Sequence, residues 1–376
     1  MRSQKRWTVN LLFLVTAMLF LFSGCQERET TQKPENTPAS AVETITDKKP
    51  ELTPEVTPEA TQVPAPEPLV VPTPEPVPVP TPKPTPKPTP EVTPVTTPEP
   101  VQPMVPEEET EETPDEPAAE ASHAGLYRAD DLTALYERGS GERIAPASLT
   151  KVVTACTALK YCAPDEVFTV GTELELVEEH SSLCLIRPGH RLTLYHLIMG
   201  MFLPSGNDAA YTVAVNVGRR VAGDDQLSDR AAADYFCGLM NAFAAELGAV
   251  DSHFASPEGW DNEDTYSTVH DLAVFAAYAM KMEEIREIAA TYEKKVFFAS
   301  GENITWKNFN SLVNPWSTWY CEQAVGLKTG STENAGKCLL SAFEGEDGLY
   351  IAVVMGCQED GDRYRATWDL IDLLDI

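Results

Sequence analysis

The order of apolar and polar residues predicts helices in the middle of the chain. Apolar side chains recur at helical spacing from Ser148 to about Tyr161, as at Val152 and Cys156. Further helices are predicted for the stretches LTLYHLIMGMFL, NDAAYTVAVNVGRRV, DRAAADYFCGLMNAFAAELG and TVHDLAVFAAYAMKMEEIREIAATY, and an amphipathic helix for the final stretch from about Arg363 to Leu374.

Strands are predicted on both sides of these helices. AGLYRADDLTALYERGS contains two strand-like runs on either side of Asp130 and Asp131, which is typical of a hairpin. Near the other end, AVGLKTGST, GKCLLSAFE and LYIAVVMG read as strands, the last two joined by the turn GEDG. Strands at both ends with helices between them predict an α+β domain over residues 123–376, with an antiparallel sheet packed on a helical region.

The first 25 residues have the features of an export signal. A basic start, MRSQKR, precedes an apolar run from Val9 to Phe22 and then small residues. This run has about fourteen residues, fewer than the roughly twenty that cross a bilayer as a helix, which favours a removable signal peptide.

The ending LFSGC resembles the lipobox of bacterial lipoproteins, in which Cys25 is diacylated and becomes the mature N-terminus. Phe22 stands where such signals usually carry Leu, so an uncleaved N-terminal anchor and plain secretion remain alternatives. All three place the rest of the chain outside the cytoplasm, and lipidation predicts anchoring to the outer face of the cytoplasmic membrane with reach into the cell wall.

Residues 26–122 contain 25 of the 31 prolines of the chain, interleaved with Thr, Val and Glu. Such a stretch cannot bury a core, and it is predicted to be a disordered stalk that samples polyproline II at about 3.1 Å per residue. A ligand for proline-recognition modules is the alternative. It is disfavoured because those modules act mostly inside cells, whereas this segment follows an export signal.

Charge and the spacing of metal-ligand residues exclude other classes of function. Residues 123–376 carry 38 acidic against 19 basic side chains, which argues against nucleic acid as a partner. The six histidines and eight cysteines form no H-x-x-x-H or C-x-x-C pair, so neither a metal site nor a cofactor is predicted. With Cys25 lipidated, seven cysteines remain, and no disulfide is predicted among them.

Ser148 and Lys151 form an S-x-x-K motif at the start of the first predicted helix. Residues three apart are neighbours on a helix, and both burial and the helix N-terminus would lower the pKa of Lys151 toward that of a working base. Such a pair suits a serine nucleophile and its base. Alternatively, Ser148 caps the helix and Lys151 is solvated, since this motif arises by chance about once in a chain of this length.

Two further motifs change that balance. LPSGNDAA supplies Ser205 and Asn207 in an S-x-N motif, and VGLKTGSTENAG supplies a K-T-G motif that begins at Lys328. S-x-x-K, S-x-N and K-T-G in this order are the signature of penicillin-binding proteins and class A β-lactamases.

The resemblance extends beyond the motifs. APASLTKVVTA, SGNDAA, SPEGWDNEDTYSTVHDLAVFA, GLKTGSTENAG and VVMGCQEDGDRYRATWDLIDLL resemble successive blocks of the low-molecular-weight penicillin-binding proteins, the serine-type D-alanyl-D-alanine carboxypeptidases of the peptidase S11 type. The resemblance covers nearly all of residues 123–376. It implies the β-lactamase/DD-peptidase-like transpeptidase fold, with the active site between the sheet and the helical region.

This resemblance also implies a reaction. The serine is acylated by a peptidoglycan stem peptide, terminal D-alanine leaves, and water completes hydrolysis. Ser148 is then the nucleophile, Lys151 its base, and Ser205 the relay that protonates the departing amine. Asn207 holds the substrate amide and steadies Lys151. Penicillin and other β-lactams are expected to bind as inhibitors.

The carboxylate end of the substrate is assigned to the K-T-G strand. Lys328 supplies positive charge and Thr329 a hydroxyl, while Gly330 lets the strand approach the acyl chain. Backbone N–H groups of Ser148 and Ser331 form the oxyanion hole. Arg363 is expected to pair with the carboxylate of the leaving D-alanine, a surface role at the last helix being the alternative, with Arg365 as the neighbour for comparison.

Two departures from the family pattern and two alternative functions remain. Ser331 follows K-T-G where relatives often carry His or Tyr, and the sequence stops at Ile376 without the C-terminal β-domain and anchor of many relatives. A serine β-lactamase would need a deacylating glutamate in an E-x-x-L-N loop; no such loop is found, and Glu258 is the nearest acidic residue. A non-catalytic β-lactam sensor or wall-binding module is disfavoured because binding alone does not require both Lys151 and Ser205.

Overall fold

The computed structural model describes residues 116–374. The predicted signal peptide, Cys25 and nearly all of the predicted stalk lie outside the described residues. Within the described part the strands are β1 (His123–Arg128), β2 (Ala134–Arg138), β3 (Val167–Thr169), β4 (Arg191–Thr193), β5 (Glu293–Phe297), β6 (Asn303–Lys307), β7 (Ala324–Thr332), β8 (Gly336–Gly345) and β9 (Gly348–Cys357). The helices are α1 (Thr150–Tyr161), α2 (Leu194–Phe202), α3 (Asn207–Ala222), α4 (Asp229–Leu247), α5 (Val269–Ala279), α6 (Glu283–Ala290) and α7 (Asp362–Ile371).

Five strands form one antiparallel sheet in the order β2-β1-β9-β8-β7. The predicted N-terminal hairpin is present, since β1 pairs with β2, with Leu126 opposite Tyr136. β1 also pairs with β9, and β7 pairs with β8 with Lys328 opposite Leu340. This arrangement places the K-T-G motif on the β7 edge of the sheet.

Both faces of the sheet are covered, so its central strands are apolar on both sides. Side chains alternate between the two faces because successive residues of a strand point in opposite directions. On β9, Ile351, Val353 and Met355 pack into the core shared with the helical region. Tyr350, Ala352 and Val354 pack into a second core with α7.

α1 lies at the centre of the helical region and contacts α2, α3, α4 and α5. Its residues from Thr150 to Ala158 are all buried, including the polar ones. Thr154 stays satisfied because its hydroxyl donates to the carbonyl oxygen of Pro257 at 2.6 Å. The helix that carries Lys151 is therefore fixed on all sides.

The single helix predicted over TVHDLAVFAAYAMKMEEIREIAATY is wrong, because the chain breaks at residues 280–282 into α5 and α6. Met282 is extended, with φ −94° and ψ 118°. On one continuous helix, at about 100° per residue, Ile285 and Ile288 would lie on roughly the opposite side from Leu272. The break lets both isoleucines enter the same core as Leu272.

Two short sheets were not predicted. β3 pairs with β4, and β5 pairs with β6, with Lys294 opposite Trp306. In the second pair, Val296 and Trp306 are buried while Phe297 is exposed. In VFFASGENITW, an apolar run and an alternating run lie on either side of the turn residues SGEN. This was the sequence pattern that could have indicated the hairpin.

The packed part of the chain includes residues before His123. Ala118 and Ala121 are buried in the core next to α7, and Arg138 donates to the carbonyl oxygens of both. The amide of Ala118 donates to Asp369 at 3.2 Å. The stalk was predicted to extend to residue 122, but small side chains follow Pro117, and these can pack where proline cannot.

Candidate active site

The three motifs and the start of α7 converge on one cleft of about 330 Å³ between the sheet and the helical region. Its lining residues are Ser148, Ser182, Ser205, Phe309, Thr329, Gly330, Ser331, Asp360 and Arg363. Ser148, Ser205 and Thr329, one residue from each motif, thus share one cavity although they lie far apart along the chain.

Ser148 lies in a short 3-10 helix, Ala147–Leu149, that leads directly into α1. The predicted helix start is therefore shifted by two residues, and Ser148 precedes the α-helix. Its hydroxyl oxygen lies 2.7 Å from the Nζ of Lys151. The two side chains of the S-x-x-K motif are in direct contact, so the alternative of a solvated lysine is excluded by the geometry.

Lys151 is completely buried, at 0% exposure, and its Nζ has three oxygen neighbours. Besides Ser148, these are Oδ1 of Asn207 at 2.8 Å and the carbonyl oxygen of Glu258 at 3.2 Å. The last two oxygens can only accept hydrogen bonds. A neutral amine, which has two protons, would donate both to them and keep its lone pair for the Ser148 hydroxyl.

Burial lowers the pKa of Lys151 to about 8, against the opposing charges of Glu258 and Asp208. Desolvation disfavours the ammonium form, and the two carboxylates recover part of that loss. A large fraction of Lys151 is therefore neutral in mildly alkaline solution, as a general base must be.

Lys328 lies across the cleft from Lys151 and is 1% exposed. Its Nζ donates to Ser205 Oγ at 2.9 Å and to the carbonyl oxygen of Thr329 at 2.9 Å. Burial lowers its pKa well below the usual value, and the positive charges of Lys151 and Arg363 lower it further. A substrate carboxylate in the cleft would reverse part of this shift, because an opposite charge favours the ammonium form.

Ser205 has a left-handed backbone, with φ 60°, which is costly for a residue with a side chain. The chain on either side holds this turn in place. The amide of Gly206 donates to the carbonyl oxygen of Gly200 at 2.9 Å, and that of Asn207 to the carbonyl oxygen of Ser182 at 2.8 Å. The strained turn thus aims the Ser205 hydroxyl into the cleft.

Gly330 is the point at which β7 passes the nucleophile. A Cβ at this position would lie 3.1 Å from the Cβ of Ala147 and 3.3 Å from the amide nitrogen of Ser148. From the family resemblance, Gly330 was expected to let the strand approach the acyl chain of the substrate. The contacts show a further reason, since the turn that carries Ser148 packs against it.

Arg363 is 7% exposed and links α7 to the sheet. Its Nη1 donates to the carbonyl oxygens of Gly330 at 3.1 Å and Cys338 at 3.3 Å, and its Nη2 pairs with Asp360. Arg365 is half-exposed and pairs with Glu120 and Asp362 away from the cleft. Arg363, and not Arg365, is the arginine at the cleft.

Sequence reasoning missed three residues that line the cleft, Ser182, Phe309 and Asp360. They lie in loops outside the motifs, where neither periodicity nor residue type marks them. Ser331, which was expected at the rim, does line the cleft, and its hydroxyl accepts a hydrogen bond from Lys337 at 2.9 Å.

Asp208 anchors the loop that carries Ser182. Its carboxylate accepts from the amides of Cys184 at 2.9 Å and Ile186 at 3.2 Å. Trp306 of β6 donates from Nε1 to the carbonyl oxygen of Cys184 at 2.8 Å. One wall of the cleft is therefore supported by α3 and by the hairpin that the sequence did not predict.

The cysteine thiols of the described residues are not activated for reaction. The seven cysteines of residues 116–374 are all buried and form no disulfide with one another, and burial raises the pKa of each thiol. The same residues contain no cluster of side chains that could hold a metal ion and no helix long and apolar enough to span a membrane.

Residues 110–359 match the family model described as D-alanyl-D-alanine carboxypeptidase, Peptidase S11. The chain is 29% identical over 260 residues to the D-alanyl-D-alanine carboxypeptidase DacF of Bacillus subtilis. This alignment covers 68% of this chain and 62% of DacF. It is 33% identical over 234 residues to DacA of Escherichia coli, and this alignment covers 59% of this chain and 53% of DacA. The chain thus matches between half and two thirds of these relatives.

Solved structures show the same fold. The crystal structure of the Streptomyces K15 DD-transpeptidase matches with a TM-score of 0.61 and 28% identity, over 67% of this chain and 96% of that one. The ampicillin-bound penicillin-binding protein D2 of Listeria monocytogenes matches with a TM-score of 0.55 over 68% of this chain and 98% of that one; at 23% identity it supports the fold alone. The predicted α+β fold is confirmed, and the chain belongs to the S11 family of D-alanyl-D-alanine carboxypeptidases.

Proposed function

We propose that this chain removes the terminal D-alanine from peptidoglycan stem peptides through an acyl-enzyme on Ser148. The observation that carries the proposal is the environment of Lys151, which is buried and bonded to two obligate acceptors while its third neighbour is the Ser148 hydroxyl. This is the arrangement that a lysine general base requires.

In the acylation step, neutral Lys151 takes the proton of Ser148 while Oγ attacks the carbonyl carbon between the two D-alanines. The negative charge that develops on the carbonyl oxygen is assigned to the backbone N–H groups of Ser148 and Ser331, two residues that both line the cleft. Asn207 keeps Lys151 in place through its Oδ1 and can turn its amide nitrogen toward the substrate.

Departure of D-alanine requires a proton on its nitrogen. Ser205 is the assigned donor, and the 2.9 Å contact with Lys328 allows the lysine to replace the proton that Ser205 gives away. The substrate carboxylate would lie between Lys328, the hydroxyl of Thr329 and the guanidinium of Arg363. A bidentate arginine and a compact ammonium together recognise a carboxylate by geometry as well as by charge.

Hydrolysis of the acyl-enzyme completes the cycle. Lys151 first gives up the proton that it took from Ser148, which balances the proton that Lys328 supplied through Ser205, and is then again the only assigned base. A class A β-lactamase adds a glutamate that activates water for this step. Among the described residues Glu258 is the acidic side chain with the largest electrostatic effect on Lys151, but it does not line the cleft, and Asp360, which does, is paired with Arg363. The acyl-enzyme formed with penicillin is therefore expected to be long-lived.

The test uses the full chain and a peptide ending in Lys-D-Ala-D-Ala. We expect release of free D-alanine, a labelled penicillin adduct that persists for many minutes, and loss of both in Ser148→Ala. Rapid penicillin turnover without D-alanine release would indicate a β-lactamase. Loss of cell-wall association in Ser148→Ala would favour a binding module instead.

An acceptor amine in the same assay separates hydrolysis from transfer. The K15 relative is named a DD-transpeptidase, and an acyl-enzyme can pass to an amine as well as to water. With glycylglycine present, a carboxypeptidase gives mainly the shortened peptide. Mainly transfer product would reassign the reaction while leaving the roles of Ser148 and Lys151 unchanged.

The proposal includes export and attachment to the outer face of the cytoplasmic membrane through a lipid on Cys25. The support is the sequence LFSGC after a basic and apolar leader, together with a substrate that lies outside the cytoplasm. Labelled palmitate should enter the wild-type protein in cells and not Cys25→Ala. Equal labelling of the two would refute lipidation at this residue.

A further inference from the structure

The loop Ser256–Gly259, between α4 and α5, passes directly beneath the nucleophile. Thr154 of α1 donates to the carbonyl oxygen of Pro257, and Lys151 donates to that of Glu258. Gly259 has φ +82°, and a Cβ there would lie 1.9 Å from the carbonyl oxygen of Ala147. The backbone of Glu258 is therefore held between the start of α1 and the turn that carries Ser148.

The Glu258 side chain is 2% exposed, and its Oε2 has no hydrogen-bond partner among the described residues. Burial raises the pKa of Glu258, and the charge of Lys151 together with hydrogen bonds from its own amide and from Ser256 opposes this rise and favours the carboxylate. A buried carboxylate oxygen without a partner is costly, so its retention here requires an explanation. The loop does not need this carboxylate for its own conformation, because its main-chain groups make the bonds to α1.

Ionisable groups approach Glu258 from each neighbouring element. Those that interact with Glu258 itself are Lys151 on α1, Tyr211 on α3, Cys237 on α4 and Glu178 before β4. Asp208 acts on Lys151, Arg230 on Tyr211 and Cys237, and Lys328 and Arg363 lie on the far side of Lys151. Asp208 is already occupied by backbone amides. Of the cations, Lys151 is the one whose charge acts on Glu258 and on which Glu258 acts in return.

We propose that Glu258 is a positioning residue whose buried carboxylate stabilises the ammonium that Lys151 becomes when it accepts the proton of Ser148. In that step the proton passes from Oγ to Nζ as the bond from Oγ to the acyl carbon forms. Glu258 does not touch the substrate, since its side chain lies outside the cleft. The inference rests on the proposed role of Lys151 as base. It adds that the charge of Glu258 sets how strong that base is.

The sign of the effect follows from the charges. Burial lowers the pKa of Lys151, and the Glu258 carboxylate opposes this change. Removal of the negative charge lets the pKa fall further, so more Lys151 is neutral at low pH but each neutral lysine is a weaker base. The acidic limb of the acylation rate should therefore move to lower pH, while the plateau at high pH should fall.

The experiment measures the second-order rate of penicillin acylation of the full chain from pH 6 to pH 10. The variants are Glu258→Gln, Glu258→Leu and the matched control Glu178→Gln, which removes an exposed negative charge from the same surroundings. Leucine keeps the volume without a buried amide, and replacing an unpaired buried charge by an apolar side chain is often tolerated. Thermal unfolding identifies which variants are folded.

We expect both Glu258 variants to shift the acidic limb down by about one pH unit and to lower the plateau by about three- to tenfold, with Glu178→Gln unchanged. An unshifted limb in either folded Glu258 variant would overturn the inference. So would normal acylation with blocked release of the adduct, because that result makes Glu258 the base for hydrolysis. Failure of the wild-type chain to be acylated would refute the proposed function itself.

Discussion

Lys328 Nζ and Ser205 Oγ lie 2.9 Å apart, although 123 residues separate them along the chain. The contact joins the K-T-G strand to the strained turn before α3, so the sheet and the helical region meet at a proton-transfer distance. In the proposed mechanism, protonation of the leaving group therefore depends on the contact between the sheet and the helical region.

Ser205→Ala should separate leaving groups by their need for a proton. An amine cannot depart without one, whereas a thiolate can, so the substitution should slow D-alanine release from an amide about a hundredfold or more and a matching thioester by less than about tenfold. Rates on both substrates, with mass spectrometry of the acyl-enzyme, check this. Equal losses on the two substrates would show that Ser205 acts by positioning.

In the wild-type protein, the pH dependence of the acylation rate should reflect the ionisation of Lys151. Its pKa is lowered to about 8, and only the neutral amine accepts the Ser148 proton, so acylation by penicillin should rise about tenfold per pH unit below 8 and level off above it. Stopped-flow measurement with a fluorescent penicillin gives this profile. A rate independent of pH between 6 and 9 would argue against lysine as the base.

Gly330→Ala should displace the nucleophile more than it destabilises the fold. The added Cβ would press on Ala147 and on the amide of Ser148, so we expect acylation to fall about ten- to a hundredfold, since small misplacements of reacting groups have large effects on rate.

Gly141→Ala is the matched control for this substitution, because a Cβ there has no atom within 4 Å. It should leave the acylation rate unchanged, and both variants should unfold within a few degrees of the wild type. Normal acylation in Gly330→Ala would contradict the close packing of β7 on the Ser148 turn.

Asp360 pairs with Arg363 at the lining of the cleft, where the substrate carboxylate is proposed to bind. Removing its charge in Asp360→Asn should lower KM for a peptide ending in D-Ala-D-Ala about two- to fivefold with kcat little changed, because a half-exposed ion pair is weak.

Glu359→Gln removes a neighbouring exposed charge and should have no effect, while Arg363→Ala should raise KM. Steady-state kinetics of the three variants decide the point. A raised KM in Asp360→Asn would mean that Asp360 holds Arg363 in place and does not compete with the substrate.

Most of the fold was predictable because its helices carry periodic apolar patterns, as in α4, and its central strands are short continuous apolar runs, as in LYIAVVMG. The motif residues Ser148, Ser205 and Lys328 were predictable because three short motifs, each weak alone, occur together in one order. The break between α5 and α6 was not, since no glycine or proline marks it and only the tertiary position of Ile285 requires it.

The electrostatic surroundings of the site could not be predicted from the sequence either. Lys151 is oriented by the carbonyl oxygen of Glu258, and a backbone atom has no residue type that a motif could record. The pairing of Asp360 with Arg363 follows from the start of α7, whose position depends on the finished sheet. Such contacts depend on tertiary structure and are fixed only when distant segments have packed.

The pairing of β1 with β9 bears on when this enzyme can become active. Arg128 is opposite Tyr350, so the middle of the sheet joins segments more than two hundred residues apart. Loop closure over that distance is slow, and proteins dominated by such contacts fold late and slowly. The edge strand with Lys328 docks on β8 beside this pair, so the cleft stays incomplete until the last strand has been made and paired. Under the proposed export, acyl transfer would therefore begin only after translocation ends.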